Sequence, residues 1–226
     1  MELIGTGIYS IPEAARLTGI PVSNIRRWTQ GYEYVRAGQR RELPPVVRPQ
    51  IDPIDEEEAL SFRDLQELRF LQAFRNQGVS WHTLRLANLN AQKILDDDHP
   101  FSTGRFRSLG NAIMMETAKK ARDAALLDVA RNQFVFRRAV APYLKGLVFD
   151  RRKDEPVRWF PTDTRLIVID PARRFGKPIV TREGVPTRIL AKAYNAEKSI
   201  EAVAKWYELS ARSVRAAVAY ENRLAA

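Results

Sequence analysis

Residues 10–32, SIPEAARLTGIPVSNIRRWTQGY, leave the chain little conformational choice. Ser10 and Glu13 form a capping box: the hydroxyl takes an orphan N–H at a helix start, and the glutamate reaches back. Pro12 in the first turn has no N–H to satisfy. A helix therefore starts at Ile11 with Ala14, Ala15 and Leu17 facing inward, and it ends near Thr18, where Gly19 suits a left-handed residue. Pro21 opens a second helix with Ile25 and Trp28 inside, leaving Ser23, Asn24, Arg26, Arg27 and Gln30 outside. That outer face is polar and cationic without one acid.

Two short helices across such a turn have the layout of a helix-turn-helix, whose second helix enters the major groove. Arginine can address guanine edges and asparagine adenine edges, while the remaining cations hold phosphates. An ordinary helical hairpin with a solvated face has the same spacing.

Charge bears on that choice. The chain has 226 residues, with 37 Lys and Arg against 27 acids and a net charge of +10, which favours a polyanionic partner. Residues 16–48 hold seven cations and only Glu33 and Glu42, whereas residues 51–60 hold five acids and no cation. A hydrophobic content of 45% is enough for real cores, and the length suits two domains or a little more. Without cysteine there is no disulfide or thiolate chemistry, and with only His82 and His99 as imidazoles a zinc site is not expected. No cofactor, metal or catalytic residue is predicted. The first ten residues lack a basic region followed by an apolar run, and no stretch approaches the ~20 apolar residues of a membrane span. The expectation is a cytoplasmic protein with no membrane contact.

Residues 32–51 read as a hairpin with a basic tip over Ala37 to Arg41, its second arm confined to an edge by Pro44, Pro45 and Pro49. Beside a recognition helix this would be a wing, with Arg36, Arg40 and Arg41 near phosphates or the minor groove; a solvated surface hairpin is the alternative. Ser61 and Asp64 cap a helix through Leu65, Leu68, Leu71, Ala73 and Phe74. Gly78 ends it, and Ser80 caps another to Leu95 with Trp81, Leu84, Leu86 and Leu89 as core positions. Asp96, Asp97, Asp98 and His99 read as a solvated loop in preference to a magnesium site, because consecutive carboxylates cannot all face one point.

The order IPEAARLTGIPVSNIRRW, hairpin, LSFRDLQELRFLQAFRNQGVSWHTL resembles the DNA-binding domain of MerR-type regulators over residues 9–95. Gly19, Ile25, Arg26 and Trp28 match its turn glycine, buried aliphatic, phosphate-directed arginine and aromatic. Ser61, Asp64 and Leu65 match its third helix start, and Gly78, Ser80 and Trp81 its fourth. Arg27 stands where that family often has an aromatic, and residues 96–100 cut the long dimerising helix expected next.

Beyond that point, residues 101–116 read as a second hairpin around Leu109, Gly110 and Asn111, Ala118 to Val140 as a helix, and residues 147–160 as a third hairpin. The last part is a small helical unit. Ser199 caps a helix with Ala202, Val203 and Trp206 inside, and Ser210 one with Val214, Ala217 and Val218 inside, a second helix-turn-helix shape with Arg212 and Arg215 as secondary DNA-binding candidates. Asp170, Pro171, Gly176, Lys177, Pro178, Gly184, Thr187 and Arg188 resemble the signature of a small family of bacterial antitoxins, with Val185 and Pro186 inserted.

Together the two ends look like VapB-type antitoxins. The predicted fold is mainly α with β-hairpins (α+β): a winged helix-turn-helix domain over 1–98, a middle region over 99–164 as dimer or partner interface, and a C-terminal helical domain over 165–226. The DNA-binding candidates are Arg16, Ser23, Asn24, Arg26, Arg27, Arg36, Arg40 and Arg41. What the resemblance implies is a homodimer without enzymatic activity that binds double-stranded DNA of its own operator and neutralises a PIN-like ribonuclease toxin. A MerR-like regulator sensing a small molecule is the alternative.

Overall fold

Local capping chemistry sets the helix boundaries in the computed structural model, which describes residues 5–36, 38–121, 138, 140, 142–150 and 152–225. The described chain is mainly helical with small two-stranded sheets, and it divides into two compact units. One comprises Ser10–Lys145 with Phe149–Pro156; the other comprises Met1–Tyr9, Gly146–Val148 and Val157–Ala226.

In the first unit, Ser10 accepts from the Glu13 N–H and α1 runs Ile11–Thr18, ending at Gly19 with φ of 72°. Helix α2 spans Val22–Gln30 and buries Ile25, Trp28 and Thr29. The strands β1 (Tyr32–Arg36) and β2 (Gln39–Leu43) pair antiparallel, with Tyr34 opposite Arg41 and Val35 opposite Arg40. Helix α3, Phe62–Asn76, begins at the Ser61 and Asp64 capping box, and α4, Trp81–Leu95, at Ser80. The buried stripe of α4 is Thr83, Leu84, Ala87, Asn88, Ala91 and Leu95, so Leu89, expected inside, is a surface residue instead.

Residues 101–116 are not a hairpin. A short 3-10 turn, Pro100–Ser102, leads into α5, Gly104–Ala121, whose start is capped by Thr103 Oγ1 accepting from the Phe106 N–H at 3.1 Å. Phe106, Gly110, Ile113, Met114 and Thr117 are buried at helical spacing, and this apolar period outweighs the turn preference of Gly110 and Asn111. Phe70, Phe74, Phe101 and Phe106 form the aromatic core, joined by Tyr143. The helix expected over Ala118 to Val140 lies largely outside the described residues.

His99 is not in a solvated loop. It is 3% exposed, with Nε2 2.5 Å from Asp64 Oδ1. Asp64 Oδ2 accepts from the Ser61 and Gln50 N–H groups at 2.7 and 3.1 Å. Arg63 donates to Asp97 at 2.7 Å and Glu155 at 3.1 Å, while Glu67 accepts from the Phe101 and Ser102 N–H groups. Asp96 and Asp98 do face solvent.

Burial pushes the Glu67 carboxyl from the ordinary 4.5 up to about 7, against the opposing influence of His99, the two N–H groups and Arg63. Burial lowers the His99 imidazole, but its bond to Asp64 and the charges of Asp64 and Glu67 outweigh this, and the net shift is upward. Both groups hold protons more tightly folded than unfolded, so their contribution to stability is lost as pH rises through their folded-state values. The urea midpoint should therefore fall between about pH 5 and pH 8, with Glu67→Gln flattening the lower part of that slope. A wild-type midpoint that rises over this window would contradict the cluster as described.

Strands β3 (Leu147–Phe149) and β4 (Pro156–Trp159) form the expected hairpin, turned at Asp150. The second unit has a small sheet of its own and three helices. Two-residue strands β5 (Ile167–Val168) and β6 (Ile179–Val180) pair antiparallel and back onto α6 (Thr187–Glu197), α7 (Ile200–Trp206) and α8 (Ala211–Ala225). Ile167, Val180, Leu190, Val203, Val214 and Ala217 are its core. Val203, Val214, Ala217 and Val218 are inside as expected; Trp206 is 59% exposed instead.

Among the described residues no helix is long and apolar enough to cross a membrane.

Candidate nucleic-acid interface

The outer face of α2 is available because its inner face is fully committed. Ile25 and Trp28 are buried, and the Trp28 ring lies 4.9 Å from that of Trp81 on α4. Ser23, Arg26 and Arg27 are exposed and Asn24 is half-buried; the first turn holds no acid. Arg26 has no side-chain partner among the described residues. Pro21 caps α2 without a side-chain hydrogen bond, and the positive end of the helix dipole lies at that first turn, beside Ser23 and Asn24.

The hairpin is anchored at its base. Trp28 O accepts from the Val46 and Val47 N–H groups at 2.8 and 3.1 Å, and Arg85 of α4 donates to Pro44 O. Gly31, with φ of 78°, joins α2 to β1; a Cβ there would run into Leu43 O. Gly38 stands in the turn, so Arg40 and Arg41, expected at the tip, lie on the return strand.

This register separates them. Side chains alternate across a strand, so Arg41, opposite Tyr34, shares the face of Tyr32 and Tyr34, and Arg40 takes the other. The Arg27 guanidinium sits 4.8 Å over the Tyr32 ring, and the Tyr32 and Tyr34 rings are 6.1 Å apart. Arg27, Tyr32, Tyr34 and Arg41 thus form one aromatic and cationic strip. Arg40 pairs with Glu33 at 2.6 Å on the opposite face. The backbone of Arg36 pairs with Gln39 at the end of the ladder. Arg16 is half-buried in the last turn of α1. Arg212 and Arg215 are exposed on α8 of the other unit, Arg215 beside Glu201 at 3.1 Å.

Sequence reasoning missed Tyr32 and Tyr34; their spacing of two along a strand after an arginine-bearing helix was the available signal. Residues of the antitoxin-like signature build the fold. Asp170 accepts from the Ala172 N–H and pairs with Arg158, and Thr187 donates to Glu221. Gly176, φ 77°, leaves room for Tyr9, whose hydroxyl donates to its carbonyl at 2.9 Å. Trp159 is buried, whereas Trp206 is exposed.

Residues 7–88 match the family described as "Putative DNA-binding HTH domain", and residues 167–220 the family described as "Protein of unknown function (DUF433)". The N-terminal part of the chain is a helix-turn-helix domain. Over 221 residues the chain is 23% identical to "Putative antitoxin VapB45" of Mycobacterium tuberculosis, covering 93% of this chain and 92% of that protein, and it is a distant homologue of it. The crystal structure of Rv2018 from Mycobacterium tuberculosis has the same fold, with a TM-score of 0.72 at 20% identity over 96% of this chain and 100% of that one.

Proposed function

We propose that the chain is an antitoxin that binds its own operator through α2 and the hairpin as a wing, and that it neutralises a PIN-like ribonuclease. The observation carrying the DNA half is the acid-free outer face of α2 beside the strip of Arg27, Tyr32, Tyr34 and Arg41. Arg26 would hold phosphate while Asn24 and Arg27 reach base edges. In this reading residues 1–98 are the DNA-binding module, 99–164 the homodimer or partner interface and 165–226 the antitoxin-type domain, and Arg16 and Arg36 are peripheral phosphate contacts. The distant homology to an antitoxin supports the toxin half, and so do the exposed apolar residues Phe175, Ile189 and Trp206, since exposed aromatics are favoured interface anchors.

The toxin half requires a PIN-like nuclease encoded beside this chain, and co-expression of the two tests it. Wild type and the Arg26→Ala, Arg27→Ala double variant should both rescue growth, and Trp206→Ala should rescue less well. Failure of the wild type to rescue would sink the antitoxin reading; loss of rescue in the arginine variant would place the toxin on α2.

One observation favours a second reading, a MerR-like ligand-responsive regulator. A cavity of about 320 Å³ is lined by Thr18, Ile20, Arg69, Gln72, Asn76 and Tyr143 among others, beneath the turn of the helix-turn-helix. Small carboxylates that raise the thermal midpoint and release DNA would favour that reading.

A further inference from the structure

The two ends of the chain repeat one another at a single residue offset. Ser10 and Ser199 each cap a helix by accepting from the N–H three residues on, at 3.4 and 3.2 Å. Ile11 and Ile200 open those helices, and Ala14 and Val203 are fully buried in them. The backbone then turns left-handed at Gly19 and Glu208, with φ of 72° and 54°. Ile20 and Leu209 follow, one buried and the other packed on its own core. Pro21 and Ser210 each precede a second helix, starting at Val22 and Ala211. The inward residues of those helices coincide as well: Ile25 with Val214, Trp28 with Ala217, Thr29 with Val218, all buried.

Matched caps, turn conformation and core positions make the outward positions match too. Arg26 corresponds to Arg215 and Ser23 to Arg212, all exposed. Helix α8 carries Ala216 where α2 carries Arg27, and Trp206 is open where Leu17 is buried. Arg212, Arg215, Ala219 and Asn222 form one exposed face at helical spacing, to which α8 itself contributes no acid. The pair of Arg215 with Glu201 is solvent-exposed on both sides, so a phosphate can replace the carboxylate at little cost.

We propose that α7 and α8 are a second DNA-reading helix-turn-helix, with Arg215 on the phosphate backbone and Arg212 at the groove. This rests on the DNA-binding reading of α2, whose register it shares. One chain would then present two recognition helices to double-stranded DNA.

The test uses the full chain and duplexes that the wild type selects from a randomised pool. Footprinting should reveal a stretch that shortens in the Arg212→Ala, Arg215→Ala variant, and a different part of it should be lost in the Arg26→Ala, Arg27→Ala variant. The log–log salt slope of the first variant should fall by about 1, the share of Arg215, and the Arg212→Lys, Arg215→Lys variant should restore it, because a phosphate contact needs only the charge. If the wild type selects no duplex, both proposals fall. If it selects one whose footprint and salt slope are unchanged by Arg212→Ala, Arg215→Ala, only the second reader falls, and the α8 face belongs to a protein partner or to solvent.

Discussion

Asp64→Ala is expected to cost about 3 to 5 kcal/mol of stability, a large part of the ~5 to 15 kcal/mol a domain has. The carboxylate is completely buried. It satisfies the Ser61 and Gln50 N–H groups and the His99 ring together, so its loss leaves three polar groups without their partner, the Ser61 N–H and the His99 ring in the buried interior. Ser61 Oγ also donates to Gln50 Oε1, so the segment trailing the hairpin is tied to the start of α3 through the same two residues. Asp64→Asn keeps an acceptor for the N–H groups and should lose less. Urea unfolding of both variants measures this, and a loss below about 1 kcal/mol in Asp64→Ala would mean that water or rearranged neighbours serve those groups.

How much of this was legible beforehand depends on how local each cause is. Ser10, Pro12, Gly19, Ser61 and Ser80 act within a few residues, and the helices they bound were legible from sequence. The helix over Gly104–Ala121 was not, because Leu109, Gly110 and Asn111 carry strong turn chemistry and only the buried period of Phe106, Ile113, Met114 and Thr117 overrides it. The two-residue strands Ile167–Val168 and Ile179–Val180 are too short to leave an alternating pattern. His99 is harder still: its partner Asp64 is distant in sequence, and nothing near His99 announces that the ring is buried. At the candidate interface, the outward residues of α2 followed directly from helical period. The split between Arg40 and Arg41 needed the register, which the position of Gly38 in the turn decides.

The second large effect concerns DNA. Arg26→Ala and Arg27→Ala remove the two exposed cations of α2, one unpaired and the other held over Tyr32. Loss of a phosphate contact should weaken binding to all sequences and reduce the salt slope by about 1, whereas loss of a base contact should cost about 1 to 3 kcal/mol and relax specificity at one position. Arg26 is expected to behave in the first way and Arg27 in the second. Both side chains are solvent-exposed, so the folded state should keep its stability within about 0.5 kcal/mol.

The most direct measurement is a salt titration of DNA affinity for four single variants, Arg26→Ala, Arg27→Ala, Arg40→Ala and Arg41→Ala, on the duplex the wild type binds best. The account predicts weaker binding for Arg26, Arg27 and Arg41 and near wild-type behaviour for Arg40, which points to the opposite face of the hairpin. Wild-type affinity and salt slope in the Arg26 and Arg27 variants would contradict it, because α2 would then not be the element that meets DNA.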